Sequence, residues 1–195
     1  TENDSADRST FYEKVYGAYE ALLFIASAGL ILLIKPVTAI FVNASTYSEY
    51  GEVYRYTPVL VAAVLFMSLN QFLGSIYSAT KHAKNSFWTA FIACSVNIVM
   101  NIALIPVWGI QGASVATFLS YFICFWARII DARYYVPFKF NGIKCFANTV
   151  ILLVMCVIAV FEPALWGLWL FILTGVICAW NYQALLVTAK KLLHR

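Results

Sequence analysis

Six long apolar runs constrain this chain more than any other feature of its sequence. Each approaches or reaches the roughly 20 residues that a helix needs to cross a bilayer. The runs are continuous, whereas the strands of a transmembrane β-barrel alternate apolar and polar residues. Only 11% of the 195 residues are charged and 63% are hydrophobic, whereas soluble domains carry about 25% charged residues. The sequence therefore predicts an all-α integral membrane protein.

The runs predict six transmembrane helices at about residues 17–42, 53–80, 87–105, 110–130, 143–161 and 164–189. The third and fourth form a hairpin around Pro106-Val107-Trp108-Gly109, and the opening TENDSADRST is expected to be loop-like. This divides the chain into a polar segment 1–16, a four-helix core within 17–133, and two further helices with a basic tail in 134–195. The sequence does not begin with Met, and its polar start lacks the basic-then-apolar order of a signal peptide. We therefore expect a piece of a longer polypeptide.

Charges in the connections predict the orientation. Lysine and arginine collect in the connections after the second and fourth helices and in the C-terminal tail. The opposite connections carry only Glu49, Glu52, Arg55 and Glu162. By the positive-inside rule, the basic connections and both ends of the chain are cytoplasmic.

Lys35 is the most costly residue in these helices, because a cation inside the membrane costs about 2.5 to 3.5 kcal/mol on insertion scales. Two interpretations stay open. The ammonium group could snorkel to the outer interface, with Pro36 marking the helix end. Alternatively, it faces a cavity and pairs with an anionic substrate, while the kink at Pro36 opens the local backbone.

Amide side chains mark the second and third helices. Asn97 and Asn101 are four residues apart and share one helix face, while Asn70 and Gln71 lie in the middle of the second helix. Hydrogen bonding between helices and the lining of a hydrated path both account for such residues. Adjacent positions on a helix diverge by about 100°, so we expect only one of Asn70 and Gln71 to face the same site.

Small residues recur through the turn and the fourth helix, where they favour close helix contact. The predicted helix-packing residues are Gly109, Gly112, Ala116 and Ser120.

Catalysis and metal binding find little support. His82 and His194 lie in connections without a nearby cluster of carboxylates or cysteines. The five cysteines show no CxxC spacing and are expected to be small packing residues. No Gly-rich phosphate loop follows a strand, and the basic connections are too short and scattered to predict a nucleic-acid surface. We expect no cofactor and no metal.

The run NIVMNIALIPVWGIQGASVATFLSY combines an Asn-containing helix, an I-P-x-x-G-I turn and the pattern G-A-x-x-A-T. With KPVTAIFVN at the end of the first helix and SIYSATKHAKNSFW after the second, it resembles the C-terminal half of bacterial polysaccharide flippases of the Wzx type. These are grouped with MurJ-like lipid II flippases and MATE exporters in the MOP superfamily. The resemblance covers most of residues 11–133 and is topological beyond Arg133.

The resemblance implies that the six helices form about half of a two-lobe MOP-type transporter in the bacterial cytoplasmic (inner) membrane. Its partners would be membrane lipids and the N-terminal half of the same protein. The cargo would be an undecaprenyl-pyrophosphate-linked oligosaccharide, moved by alternating access to the outer leaflet for O-antigen, capsule or exopolysaccharide assembly. Amides suit sugar hydroxyls and cations suit phosphate, so the candidate cavity residues are Lys35, Asn70, Gln71, Asn97 and Asn101. Coupling to an H⁺ or Na⁺ gradient is left open.

Three alternatives are weighed against this interpretation. A MurJ-like lipid II flippase would differ in cargo more than in chemistry. A MATE-type exporter would be expected to bind its cation through membrane carboxylates, and these helices predict none at mid-depth. A membrane-embedded glycan enzyme would need a large external loop or acid and base groups near an interface, which the sequence does not show.

Overall fold

The computed structural model describes residues 2–41 and 53–193, and within these ranges the chain is helical, with no strand. The helices are α1 (Glu2–Leu32), α2 (Ile34–Phe41), α3 (Val53–Ala79), α4 (Ala83–Tyr135), α5 (Gly142–Phe161) and α6 (Trp166–Leu193). The predicted all-α class is confirmed. The predicted end of the first helix at Val42, Glu49 and Glu52 in the next connection, and the last two residues lie outside the described ranges.

Five of these helices, all except α2, are long and apolar enough to cross a membrane. Helix α4 contains 53 residues, which as a straight helix would extend about 80 Å, far more than the roughly 30 Å of a hydrocarbon core. The helix is interrupted at Gly109, where φ is 56° and ψ is −132°. We call its two arms α4a (83–108) and α4b (110–135). Counting the arms separately gives the six predicted helices.

The two arms run antiparallel and touch along their length. Asn97 Nδ2 donates a hydrogen bond to Ser120 Oγ at 3.3 Å. At the far end of the hairpin, Asn85 Nδ2 donates to both carboxylate oxygens of Asp131, at 3.1 and 3.0 Å. Pairs 23 and 46 residues apart in sequence can meet in this way only if the chain reverses between the arms. The predicted hairpin is therefore present.

Glycine serves two different purposes at this reversal. A Cβ atom on Gly109 would meet nothing within 4 Å, so the position needs glycine for its positive φ rather than for space. A Cβ atom on Gly112 would collide with the backbone of Leu104, so here glycine permits close contact of the arms. Ala116 and Ser120 continue the buried stripe along α4b, at 0% and 3% exposure.

Helix α1 begins earlier than the sequence predicts. The opening polar segment was expected to be loop-like, yet the helix starts at Glu2 and continues through it. Neither glycine nor proline occurs before Gly17, so nothing breaks a helix there.

Pro36 explains the interruption between α1 and α2. Proline has no backbone N–H, so the carbonyl of Leu32 loses its usual partner four residues later. The helix breaks at Leu33 and resumes at Ile34, with Pro36 in the first turn of α2. The first predicted helix is thus two helices within the described residues.

Helix α3 lies at the centre of the bundle and packs against α1, α2, α4 and α5. Its buried side chains are mainly apolar, with Phe66, Leu69 and Leu73 at 0% exposure. Large apolar side chains on the outer arms stay exposed, among them Ile102 and Ile130 at 71% and 73%. Such a surface suits contact with lipid tails, which are as apolar as the side chains themselves.

A buried amide pair joins α5 to α6. Asn148 and Asn181 are 0% and 1% exposed and exchange two hydrogen bonds, at 3.3 and 3.2 Å. Asn181 Nδ2 also donates to the carbonyl oxygen of Ile177 at 2.8 Å. The pair therefore fixes the register between the two helices.

The connection between α4 and α5 folds inward over one end of the bundle. Phe138 is 2% exposed, and the rings of Phe138 and Phe140 lie 5.5 and 5.8 Å from that of Tyr16. Arg133 Nε holds the segment by donating to the carbonyl oxygen of Phe138 at 3.1 Å. We call Tyr16, Phe138 and Phe140 the aromatic cap.

Candidate functional site

A polar cavity of about 420 Å³ lies between α3 and the two arms of α4, and we call it the hairpin cavity. It brings together three of the predicted residues, Asn70, Gln71 and Asn97. Amides, small side chains and one cation form most of its walls, together with a methionine and a tyrosine. The lining residues are Met67, Asn70, Gln71, Ala90, Ala93, Cys94, Asn97, Thr117, Ser120, Tyr121, Cys124 and Arg128.

Asn70 and Gln71 both line the cavity, which differs from the expectation that only one would. Asn70 is 5% exposed and forms the inner wall, where its Nδ2 donates to the carbonyl oxygen of Tyr121 at 2.9 Å. Gln71 is exposed and lies at the rim. The cavity therefore curves around α3 through more than the 100° that separates adjacent side chains. Asn70 Oδ1 is buried without a hydrogen-bond partner among the described residues.

Asn97 and Asn101 are arranged in series rather than side by side. Asn101 does not line the cavity; its Nδ2 donates to the backbone oxygen and to Oδ1 of Asn97, at 2.8 and 3.0 Å. Asn97 in turn donates to Ser120 Oγ at 3.3 Å. Asn101 thus orients the amide of Asn97, and only Asn97 is presented to the cavity.

Arg128 supplies the positive charge of the cavity. Its Nη1 donates to the backbone oxygen of Asn70 at 2.7 Å, and its Nε donates to Thr89 Oγ1 at 3.1 Å. A third, longer bond runs from Nη2 to the carbonyl oxygen of Ser86 at 3.4 Å, and the guanidinium lies 6.0 Å from the Tyr77 ring centroid. The side chain is therefore anchored to α3 and to α4a.

None of these partners carries a negative charge. Within the described part of the chain, no carboxylate lies within salt-bridge distance of Arg128. Its three bonds use three of the five N–H donors of a guanidinium. The site therefore holds a fixed cation with donors to spare, which is the arrangement that binds carboxylates and phosphates.

The sequence offered only a weak sign of this role. In sequence, Arg128 ends an apolar run near a basic connection, where water is reachable and snorkelling or pairing is enough to explain an arginine. Its placement depends on α3, whose Asn70 lies 58 residues away in sequence and supplies the backbone acceptor. The sequence feature that points to Arg128 as a site residue is its position inside the predicted limits of the fourth helix.

Lys35 lies apart from this cavity, at the opposite end of the bundle. Its Nζ is 2.9 Å from Glu162 Oε2, in the connection after α5. It also lies 4.3 Å from the Trp166 ring centroid and 5.0 Å from that of Tyr54. The side chains of Lys35 and Glu162 are 35% and 24% exposed. The ammonium group therefore already has an anionic partner within the chain, and a substrate role for it stays a prediction.

This ion pair changes the ionisation of Glu162. The hydrogen bond from Lys35 holds the pKa of the Glu162 carboxyl below its ordinary value, and Tyr54 contributes a further hydrogen bond. Partial burial opposes the shift but does not reverse it. Glu162 itself adopts a left-handed conformation, with φ 47°, which ends α5 and turns its side chain toward Lys35.

These features define a multi-pass, all-α membrane protein with an amide-lined, cationic cavity between its helices. Within the described residues, no group of three or more His, Cys, Asp or Glu side chains could hold a metal ion.

Residues 16–178 match the family described as lipid II flippase MurJ. The chain belongs to this family, which is part of the MOP superfamily. Members of the family are lipid flippases, and so transporters rather than enzymes. No curated protein and no solved structure matches the chain.

Proposed function

We propose that the chain translocates an undecaprenyl-pyrophosphate-linked glycan across the membrane, with the hairpin cavity holding part of the polar headgroup. The observation that carries this proposal is the uncompensated guanidinium of Arg128 beside the amides of Asn70 and Asn97. A pyrophosphate-linked sugar presents an anion and several hydroxyl groups. The cavity offers a cation for the first and amides for the second.

The arrangement lowers the barrier to crossing in a specific way. A diphosphate and its sugars cannot enter hydrocarbon without losing their hydration, and each unsatisfied polar group there costs several kcal/mol. Arg128 replaces water around the phosphate, and the amides replace water around the hydroxyl groups. The apolar tail of the lipid needs no such help and stays in the bilayer.

Two cargoes share this chemistry. Lipid II is the cargo named by the matching family, and the NIVMNIALIPVWGIQGASVATFLSY motif is similar to that of flippases for surface polysaccharides. Both cargoes carry an undecaprenyl pyrophosphate and differ in the attached glycan. The family match favours lipid II, and the oligosaccharide is the alternative.

The experiment is complementation in two bacterial strains. One strain is depleted of its own lipid II flippase, and the other lacks the flippase for its surface polysaccharide. Growth of the first strain identifies lipid II as the cargo. Restored surface polysaccharide in the second strain identifies the lipid-linked oligosaccharide as the cargo. If the protein is inserted in both membranes at normal levels and rescues neither strain, the proposal is wrong.

A further inference from the structure

A buried carboxyl group on α1 lies outside the hairpin cavity and plays no part in the proposed cargo binding. Glu20 is only 9% exposed, and its Oε1 is buried with no hydrogen-bond partner among the described residues. One turn earlier on the same helix face, the hydroxyl group of Tyr16 is also buried without a partner. Two unsatisfied polar atoms therefore share one enclosed site.

The neighbours of Glu20 come from two helices. On α1 the titratable neighbour is Tyr16. On α5 the titratable neighbours of the carboxyl are the Cys145 thiol and the Lys144 ammonium group. Lys144 makes no salt bridge with Glu20. Among the described side chains, no charged group of α3 or α6 interacts with it.

The aromatic cap closes this site toward the nearer end of the bundle. The rings of Phe138 and Phe140 pack on Tyr16, which is 2% exposed. Cys145 is 0% exposed and Glu20 Oε1 is buried, so this oxygen is shielded from water while α1, α5 and the cap stay together. An ionised carboxylate enclosed in this way would lack the hydrogen bonds that its charge requires.

We propose that Glu20 is a proton-binding site. Its carboxyl group carries a proton on Oε1 while the cap is closed and releases that proton to water when α1 and α5 separate. The charge left on Glu20 then opposes closure until a proton from water returns. The occupant is a proton because a proton needs a single oxygen atom, whereas a hard metal cation needs several oxygen ligands, and Glu20 has only a phenol and a thiol beside it.

The first test does not depend on the cargo. The protein is reconstituted in lipid nanodiscs and its infrared spectrum is recorded from pH 6 to pH 9. We expect a protonated carboxylic acid band at neutral pH, which Glu20→Gln removes and Glu13→Gln, a less buried carboxyl on the same helix, retains. Absence of the band in the wild type, or its persistence in Glu20→Gln, overturns the proposal. A change with Na⁺ at constant pH would also overturn it.

The second test measures opening through Cys145. In variants that keep only Cys145 or only the exposed Cys94, N-ethylmaleimide labelling rates are compared from pH 6 to pH 8. The rate at Cys94 serves as the reference for the intrinsic pH dependence of the maleimide reaction, so the ratio of the two rates reports exposure of Cys145. We expect this ratio to rise several-fold with pH, and to stay constant with Glu20→Gln. A constant ratio in the wild type, or the same rise with Glu20→Gln, contradicts the proposal.

Discussion

The guanidinium of Arg128 donates a hydrogen bond to the backbone carbonyl oxygen of Asn70 at 2.7 Å, across the boundary between α4b and α3. A backbone oxygen anchors the cation without neutralising it. Side-chain motion in the cavity therefore cannot remove this acceptor, and the charge stays available to a ligand. This relationship distinguishes Arg128 from Lys35, whose charge is matched by Glu162.

We predict that Arg128→Gln lowers the rate of lipid flipping by at least about tenfold. The neutral side chain loses charged hydrogen bonds worth roughly 1.5 to 3 kcal/mol each. Arg128→Lys should retain more activity because it keeps the charge, although it loses the planar fork that holds two oxygens. The measurement is translocation of a fluorescent polyprenyl-pyrophosphate lipid in proteoliposomes.

The control for Arg128→Gln is Lys139→Gln, which removes an exposed cation near the same end of the bundle. This variant should flip lipid at the wild-type rate. Equal activity of Arg128→Gln and this control would remove Arg128 from the site.

We predict that Gly109→Ala destabilises the protein by about 1 to 3 kcal/mol. Its φ of 56° and ψ of −132° are strained for any residue with a Cβ atom. Thermal unfolding in detergent measures the effect. Gly175→Ala is the matched control, because that glycine lies within α6 and an added Cβ would meet nothing within 4 Å. Gly175→Ala should leave the midpoint of thermal unfolding unchanged or raise it. Similar midpoints for the two variants would show that the turn does not depend on glycine.

We predict that the Lys35–Glu162 pair contributes less than about 1 kcal/mol, because both side chains are partly exposed. Lys35→Glu and Glu162→Lys should each lower the unfolding temperature, and the double exchange should restore most of the loss. If the double variant loses as much unfolding temperature as the two single variants together, the pairing is contradicted.

The Lys35–Glu162 pair also makes the free energy of unfolding depend on pH, and the lowered pKa of Glu162 fixes the direction of this dependence. The pKa of Glu162 is lowered in the folded state, so the stabilisation is fully present above the unfolded value of about 4.3. It is lost as pH falls through the lower folded value. The difference in unfolding free energy between wild type and Glu162→Gln should therefore be constant at neutral pH and shrink below about pH 4. Chemical unfolding at several pH values measures it. If this difference in unfolding free energy grows as the pH falls, the pKa of Glu162 is not lowered by the pair.

We predict that Asn148→Leu lowers stability by about 1 kcal/mol, since hydrogen bonds between membrane helices average somewhat less than that. Asn181→Leu should cost a similar amount. The double variant should cost less than the sum, because neither amide is then left without its partner. Unfolding of the four proteins in detergent gives the coupling energy, and a coupling of zero would show that the two amides do not act as a pair.

The helical class, the long helices and the hairpin could be predicted because each depends on local sequence. Apolar length predicts a transmembrane helix, and a proline followed by glycine predicts the reversal. The cavity depends on which helix faces of distant segments meet, and no local pattern contains this. Asn101 and Asn97 look equivalent in sequence, but only the packing of α4b makes one a support for the other. Lys35 looked exceptional because its partner, Glu162, is 127 residues away.

The single-residue connection at Gly109 has a consequence for biogenesis. Asn97 of α4a bonds to Ser120 of α4b, and Arg128 of α4b bonds to Thr89 of α4a, so either arm alone would bring polar groups into lipid that the other arm satisfies. The arms also have no linker that would let them enter the bilayer one after the other. We therefore expect the two arms to enter the bilayer together as a hairpin, once the chain has been synthesised to about Tyr135.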